Sequence, residues 1–221
     1  MKKILDWNEY LSKAREAVSE GCVLLENNGV LPFGCGEKIS IFGRIQSHYY
    51  KSGTGSGGLV NVSHVTGIPE GLKESGRVKI NEALEKIYAD WEKKNPYDAG
   101  LGWGMEPWSQ KEMPLTEKIV NDAALFSDVA LVIIGRTAGE DKDASESAGS
   151  YCLTDIEKEN LKMVRKAFKK MVVLLNVGGL LDMSFIDEQK PDAVLIGWQG
   201  GMTGGLGTAY VLTGDVSPSG H

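Results

Sequence analysis

Hydrophobic and polar positions alternate along this chain in two ways, and each way predicts a different kind of element. Apolar residues spaced three and four apart predict helices over residues 7–27, 66–74, 81–94, 116–127 and 204–212. Short uninterrupted apolar runs predict buried strands over residues 38–43, 128–135, 171–177 and 192–198. A further helix is expected to start at Thr154, because Glu157 three residues later completes a capping-box pattern.

The order of these elements predicts the fold class. Strands that are apolar on both faces are typical of parallel sheets covered by helices on each side. We therefore expect residues 1–221 to form a single domain, a three-layer α/β sandwich with a mostly parallel sheet. In such folds ligands bind beyond the carboxyl ends of the strands, so functional residues are expected in the loops that follow strands.

Composition narrows the possible partners and the compartment. The net charge is −6 and the lysines and arginines are scattered, so no phosphate-binding face and no nucleic-acid partner are expected. No apolar run is long enough to span a bilayer, and the first ten residues do not resemble a secretory signal. The three cysteines lack metal-type spacing, which predicts free thiols in a reducing compartment and hence a cytoplasmic protein.

An acidic loop follows the strand predicted over residues 128–135. It carries four carboxylates, Glu140, Asp141, Asp143 and Glu146. One of them could act as a mobile acid/base that protonates a leaving oxygen and later activates water. On the residues alone a solvated acidic loop is the more common outcome, and a divalent-metal site is a further alternative.

A glycine loop follows the strand predicted over residues 38–43. Residues 52–58 read Ser-Gly-Thr-Gly-Ser-Gly-Gly, in which glycines let the backbone approach a ligand and hydroxyls supply hydrogen bonds. A dinucleotide fingerprint would follow its strand directly and open a helix. Residues 44–51 intervene here, so nucleotide binding is disfavoured. A flexible loop without a ligand remains the other alternative.

Two further segments have open roles. Trp198, in the glycine-rich stretch after the last strand, either lines a sugar site or is packed against the core. Residues 95–114, which include Trp103 and Trp108, predict an ordered irregular excursion that serves as a lid or an interface. The histidines form no metal-binding constellation, and no serine–histidine–aspartate arrangement is evident.

Four segments, in this order along the chain, resemble family 3 glycoside hydrolases. Residues 17–27, followed by Leu31-Pro32, resemble the helix that opens the α/β sandwich domain of that family. Residues 52–58 resemble its glycine loop, residues 136–143 its acid/base loop, and residues 214–220 its closing motif. The resemblance covers nearly the whole chain and implies the same α/β sandwich.

The resemblance also implies roles for individual residues. Glu140 would be the general acid/base, and Ser56 a hydroxyl that touches the sugar. Gly55 and Asp143 would belong to the substrate-binding residues. The chain departs from the family pattern at Asp141, where glycine is common, and at Ala144, where arginine usually follows the aspartate. No metal and no cofactor is implied.

The resemblance implies that a second domain completes the enzyme. In this family the nucleophile is an aspartate on a (β/α)₈ barrel, and nothing in these residues resembles that barrel. Met1 directly before the opening helix fits members in which the sandwich precedes the barrel. We expect an excised part of a longer retaining exo-β-glycosidase that acts on a β-glucoside or related oligosaccharide, and an inactive isolated chain.

Two other readings remain open. A β-glucosidase is the expected parent activity, but β-xylosidase and related exo-glycosidases are not excluded, because most residues that recognise the sugar would lie on the barrel. The chain could instead be a stand-alone carbohydrate-binding or interaction module without catalysis. A large exposed apolar face would favour the excised domain over such a module.

Overall fold

A six-stranded sheet with helices on both faces forms the computed structural model, which describes residues 5–58, 60–140 and 142–221. The strands are β1 (Val23–Asn27), β2 (Glu37–Phe42), β3 (Val78–Ile80), β4 (Val129–Arg136), β5 (Lys170–Val177) and β6 (Ala193–Ile196). The helices of these ranges are α1 (Trp7–Gly21), α2 (Ile68–Ser75), α3 (Glu82–Glu92), α4 (Glu117–Phe126), α5 (Asp155–Ala167), α6 (Ser184–Gln189) and α7 (Gly204–Leu212).

The strand order places two chemically interesting loops side by side. It runs β1-β6-β5-β4-β2-β3, and every neighbouring pair is parallel except β1 with β6. The predicted α/β sandwich with a mostly parallel sheet is thus confirmed. Because β2 and β4 are parallel neighbours, the loops that follow them leave the same edge of the sheet.

The hydrophobic core lies in two layers, one on each face of the sheet. Along β5, Met171, Val173 and Leu175 join one layer, while Val172 and Leu174 join the other. This period of two is the geometry of a strand whose side chains point alternately to opposite faces. Helices α3, α4, α5 and α6 cover the first layer, and α2 and α7 cover the second.

The predicted start of α5 is confirmed by its capping geometry. The Thr154 hydroxyl accepts a hydrogen bond from the Glu157 backbone N–H at 3.1 Å, and the Glu157 carboxylate accepts one from the Thr154 N–H at 2.7 Å. This reciprocal pair satisfies two donors that the first helical turn leaves free.

The helix predicted over residues 7–27 was too long. In the structure α1 ends at Gly21, and Cys22 is extended with φ −61° and ψ 142°. Val23–Asn27 forms the antiparallel edge strand β1. The run Cys-Val-Leu-Leu fits either period, and the free edge of β6 decides in favour of a strand. The three-residue strand β3 and the short helix α6 were not predicted from the apolar pattern.

The strand β1 also meets residues from the far end of the chain. Val23 forms an isolated parallel bridge with Gly220. The Gly220 N–H donates to the Cys22 carbonyl and the Ser219 N–H donates to the Glu20 carbonyl, both at 3.1 Å. Residues 20–23 and 219–220 therefore lie side by side at one edge of the sheet.

Candidate active site at the carboxyl edge of the sheet

The acidic loop is held at its base by a buried ion pair. Arg136, the last residue of β4, donates two hydrogen bonds of 2.7 Å to the two carboxylate oxygens of Glu157. Its Nε donates to the Ser150 carbonyl at 2.9 Å, and its side chain is only 4% exposed. Charge-assisted bidentate pairs have a restricted geometry, so this contact fixes where the loop leaves the sheet.

Glu140 lies in a tight turn that projects from this loop. Gly139 and Lys142 form an antiparallel bridge that closes the turn, and the Glu140 side chain is exposed. The Lys142 ammonium donates to the Glu106 carbonyl and lies 5.1 Å from the centre of the Trp108 ring. The turn is thereby anchored to the excursion 95–114. Asp141, next to Glu140, lies outside the described residues.

The glycine loop, residues 52–58, packs against Ala138, which lies between β4 and this turn. The Thr54 N–H and hydroxyl both donate to the Ala138 carbonyl, at 2.6 and 3.1 Å. A Cβ at Gly53 would lie 2.9 Å from the same carbonyl oxygen, so a side chain there would prevent the approach. The glycines thus permit close contact between two loops rather than a turn into a helix, since the next helix begins only at Ile68.

Glu140 and Ser56 are brought together by this contact. One Glu140 carboxylate oxygen, Oε2, accepts hydrogen bonds from the Ser56 N–H at 3.0 Å and the Ser56 hydroxyl at 2.8 Å. The backbone donor first, and then the hydroxyl, lower the pKa of Glu140 below its ordinary value. In this geometry Glu140 is a carboxylate held in one orientation by the glycine loop.

Gly55 supplies the space in which Glu140 lies. Its φ is +82°, and a Cβ there would lie 2.7 Å from the Glu140 Cβ and 2.8 Å from its Oε2. The same position is 3.5 Å from the Trp103 ring. Of the four residues to which the resemblance assigns roles, Glu140, Ser56 and Gly55 are therefore adjacent. Asp143 is exposed on the loop after the turn and, among the described residues, shares no hydrogen bond with them.

The buried Asn176 connects three segments near the site, and it was not predicted from the sequence. Its Oδ1 accepts from the Tyr50 N–H at 2.8 Å, and its Nδ2 donates to the Tyr50 carbonyl at 3.0 Å and the Trp198 carbonyl at 2.7 Å. It therefore connects the end of β5 with the loops after β2 and β6. A lone amide inside the apolar run of β5 was the signal that could have identified it.

Trp198 serves a structural role in this chain. Its indole N–H donates to the Gly21 carbonyl at 3.0 Å, and its ring is partly buried against the core layer that includes α5. Its φ of +51° is unusual for a residue with a side chain. The packed alternative of the sequence interpretation therefore describes Trp198.

A cleft of about 600 Å³ lies next to the glycine loop. Ser52, Gly53 and Gly58 contribute to its wall, but Glu140 does not. His48 lies in its wall with its Nε2 3.3 Å from a Glu92 carboxylate oxygen.

In the described ranges no three histidine, cysteine or acidic residues are grouped to hold a metal, and no helix has the length and apolarity to cross a membrane.

Comparison with known proteins identifies the family of the chain. Residues 22–221 match the family model of the glycosyl hydrolase family 3 C-terminal domain. The chain belongs to glycosyl hydrolase family 3. The resemblance read from the four sequence segments is thereby confirmed.

Relatives in this family include β-glucosidases. The chain is 62% identical over 216 residues to a β-glucosidase of Ruminococcus albus, a match that covers 98% of this chain and 23% of that protein. Among solved structures, a β-glucosidase of Paenibacillus barengoltzii is 48% identical with a TM-score of 0.93, covering 97% of this chain and 24% of that one.

A second solved structure is more distant. The β-glucosidase 3B of Thermotoga neapolitana, in complex with glucose, is 33% identical with a TM-score of 0.85, covering 96% of this chain and 30% of that one. The chain thus spans about a quarter of the length of the Ruminococcus albus and Paenibacillus barengoltzii proteins.

Proposed function

We propose that this chain supplies the acid/base glutamate, Glu140, of a retaining exo-acting β-glycosidase. The observation that carries the proposal is the exposed Glu140 carboxylate, held by Ser56 over the carboxyl edge of the sheet. The relatives named as β-glucosidases support a β-glucoside or related oligosaccharide as the substrate. The remaining length of those relatives leaves room for a (β/α)₈ barrel of the same protein that would carry the nucleophilic aspartate.

The proposed reaction has two steps. In the first, the barrel aspartate attacks the anomeric carbon, the glycosidic bond breaks, and Glu140 gives its proton to the departing oxygen. In the second, the Glu140 carboxylate takes a proton from water, whose oxygen attacks the anomeric carbon and releases the aspartate. The two carboxyl groups would lie roughly 5–5.5 Å apart, as retention of configuration requires. Because carboxyl groups do all of this chemistry, we propose that no metal or cofactor takes part.

Glu140 needs a higher pKa for the first step than this chain alone gives it. The hydrogen bonds from Ser56 lower its pKa and favour the carboxylate, which suits the second step. A barrel surface packed over the exposed carboxyl would remove water from it, and a nearby aspartate would add a like charge. Both effects raise the pKa of a carboxyl group, so docking of the two domains would produce the acid.

We also propose that Ser56, Gly55 and Asp143 contribute to substrate binding. A hydroxyl donates one hydrogen bond and accepts two, so Ser56 can donate to Glu140 and still accept from a sugar hydroxyl. Gly55 would contribute indirectly, because the absence of a side chain there lets the Glu140 carboxylate lie against the glycine loop. Asp143 is exposed within three residues of Glu140, where its carboxylate could accept from the sugar.

We propose a cytoplasmic location for the protein. Cys22, Cys35 and Cys152 are free in the structure, which supports a reducing compartment. Fractionation of cells that express the protein, with a periplasmic and a cytoplasmic marker enzyme, tests this assignment.

The decisive experiment replaces Glu140 in the full-length protein and varies the leaving group. Glu140→Gln should lower kcat/KM for an alkyl β-glucoside by about 10²–10⁴, the range of general acid–base catalysis. The loss in kcat/KM should be far smaller for a dinitrophenyl glucoside, whose leaving group needs no proton. Azide should restore turnover of the dinitrophenyl substrate by Glu140→Ala and form a β-glycosyl azide, since azide attacks without a base.

Glu146→Gln is the matched control, because Glu146 is an exposed glutamate of the same loop. It should retain wild-type kinetics. Equal losses for both leaving groups, or full activity of Glu140→Gln, would exclude Glu140 as the acid/base. A full-length protein that binds but never hydrolyses a β-glycoside would favour the carbohydrate-binding module instead.

A further inference from the structure

The turn that carries Glu140 is held against the excursion 95–114 on both sides of that residue. Before the turn, the Thr137 N–H donates to the Trp108 carbonyl at 2.9 Å. After it, the Lys142 ammonium donates to the Glu106 carbonyl. The excursion therefore runs alongside the turn, and Glu140 lies between two points that are attached to it.

The side chain of Lys142 is itself fixed by two groups of the excursion. Besides its hydrogen bond to Glu106, its ammonium lies 5.1 Å from the centre of the Trp108 ring, within the range of a cation–π contact. Lys142 also pairs with Gly139 across the turn, where a Cβ on the glycine would lie 2.7 Å from the Lys142 Cβ. Lys142 thus closes the turn and connects it to its neighbour.

The excursion is a firm support for this contact. The Arg44 side chain is buried and donates to the Asn95 carbonyl at 2.7 Å and the Lys111 carbonyl at 2.9 Å, which joins the two ends of the excursion. The Gln110 side chain accepts from the Asp98 N–H at 2.7 Å and donates to the Asp98 carbonyl at 2.9 Å. A segment closed in this way can hold a neighbouring turn in place.

Glu140 needs such a support most when it is protonated. The two hydrogen bonds from Ser56 stabilise the carboxylate, so they hold the carboxylic acid less strongly. The acid is nevertheless the form that must give its proton to the departing oxygen. Its position then depends on the backbone of the turn, which the contact with the excursion fixes in either protonation state.

We propose that Lys142 is a positioning residue for the acid/base: it holds the Glu140 turn against the excursion and so keeps the carboxyl group within reach of the departing oxygen. Its ammonium contacts Glu106 and Trp108, so it acts through the position of the turn. A displacement of about 1 Å at a catalytic group can lower a rate about 10²-fold. This inference rests on the proposed function of Glu140.

The test compares two β-glucosides in the full-length protein, one whose leaving group needs a proton and one whose leaving group does not. Lys142→Met keeps the length of the side chain and removes its ammonium. It should lower kcat/KM for methyl β-glucoside about 10- to 100-fold, through kcat, and that for a dinitrophenyl glucoside less than about threefold. Lys142→Arg should recover most of the loss, because a guanidinium also binds a carbonyl and stacks on an indole.

Two controls separate positioning from folding. The ratio of the two kcat/KM values does not depend on the fraction of enzyme that is folded, so a partly misfolded variant cannot imitate the selective loss. If Lys142→Met yields no folded enzyme, Lys142→Gln tests the same ratio. Lys111→Met removes another lysine of the excursion, whose ammonium donates to the Asn95 side chain at 2.8 Å, and should leave both substrates unaffected.

A double variant asks whether Lys142 acts through Glu140. Added to Glu140→Gln, Lys142→Met should change the residual kcat/KM for methyl β-glucoside less than about twofold, because no acid is left to position. Equal losses on both substrates, no loss on either, or a loss that persists in the Glu140→Gln background would overturn the role of Lys142.

These outcomes also separate this inference from the proposed function. If Glu140→Gln loses turnover of methyl β-glucoside while Lys142→Met behaves as wild type, the proposed function stands and the role of Lys142 is overturned. Wild-type turnover by Glu140→Gln would overturn both proposals.

Discussion

Glu140 combines two requirements that single residues rarely satisfy without help from neighbours. In its proposed role it must remain accessible to a substrate, and it must keep one orientation. The glycine loop provides the orientation through two hydrogen bonds from Ser56, and the small size of Gly55 provides the space. Both contributions can be removed separately.

Ser56→Ala should raise the pKa of Glu140 toward its ordinary value. The hydroxyl donor disappears while the backbone donor remains, so the carboxylate loses part of its stabilisation. An NMR titration of the Glu140 carboxyl carbon in this chain measures the midpoint. Ser63→Ala, at another exposed serine, should leave the midpoint unchanged. A midpoint that does not move in Ser56→Ala would mean that the hydroxyl bond does not persist in solution.

Gly55→Ala should destabilise the chain and impair catalysis. The positive φ disfavours any side chain by about 1 kcal/mol, and the Cβ would collide with Glu140. Gly57→Ala is the control, since a Cβ there meets nothing within 4 Å. Urea unfolding and the kcat/KM of the full-length protein measure the two effects. Equal unfolding free energies and equal kcat/KM values for Gly55→Ala and Gly57→Ala would argue against the close contact between Gly55 and Glu140.

Glu112 should make stability depend on pH in an unusual direction. Burial raises the pKa of Glu112 to about 7, and the Glu157 carboxylate adds to the rise. Hydrogen bonds from the Arg44 and Met113 N–H groups lower the pKa but do not offset the effect of burial. The folded state therefore binds more protons than the unfolded state between about pH 4.5 and 7. The contribution of this group to stability is fully present below that window and is lost as pH rises through it.

Unfolding free energies of the wild type and Glu112→Gln across this window test the effect. The wild type should lose roughly 1–3 kcal/mol more than the variant between pH 4.5 and 7. Parallel pH profiles would show that Glu112 keeps an ordinary pKa.

Among the elements, the buried strands were the easiest to predict and the edge elements the hardest. β4 and β5 are apolar on both faces, and only a covered parallel sheet accommodates such runs. The α5 capping box likewise depends on residues three positions apart. β1 could not be assigned, because its apolar run becomes a strand only when β6 offers an edge.

The candidate site likewise has parts that could be predicted from the sequence and parts that depend on packing between distant segments. The position of Glu140 after a strand could be predicted from parallel topology together with the family resemblance. The contacts of Asn176 with Tyr50, 126 residues apart, and of Trp103 with Gly55 depend on packing between distant segments. No local pattern encodes such contacts, so the structure was needed to find them.

The Arg136–Glu157 pair connects the start of the acidic loop with α5. Arg136→Leu should destabilise the chain by about 3–5 kcal/mol, because it leaves the Glu157 carboxylate buried without its partner. Lys118→Ala breaks an exposed pair with Asp122 on α4 and should cost less than about 1 kcal/mol. Urea unfolding compares them, and similar costs would mean that the buried pair adds little.

For the whole molecule, the proposal predicts that catalysis requires a second domain. This chain alone should fold but should not hydrolyse an aryl β-glucoside, because a retaining mechanism needs a nucleophile besides Glu140. Circular dichroism verifies folding, and release of nitrophenol measures turnover. Robust turnover by the isolated chain that Glu140→Gln abolishes would show that the nucleophile lies within these residues.

The contact between residues 20–23 and 219–220 has a consequence for the order in which the chain folds. The Ser219 hydroxyl donates to the Glu20 carbonyl, and these residues are 199 positions apart. Contacts between such distant segments close a long loop, whose entropic cost must be met before the contact stabilises the fold. The edge of the sheet at β1 therefore reaches its final form only after residues 219–220 have been synthesised and have folded back onto it.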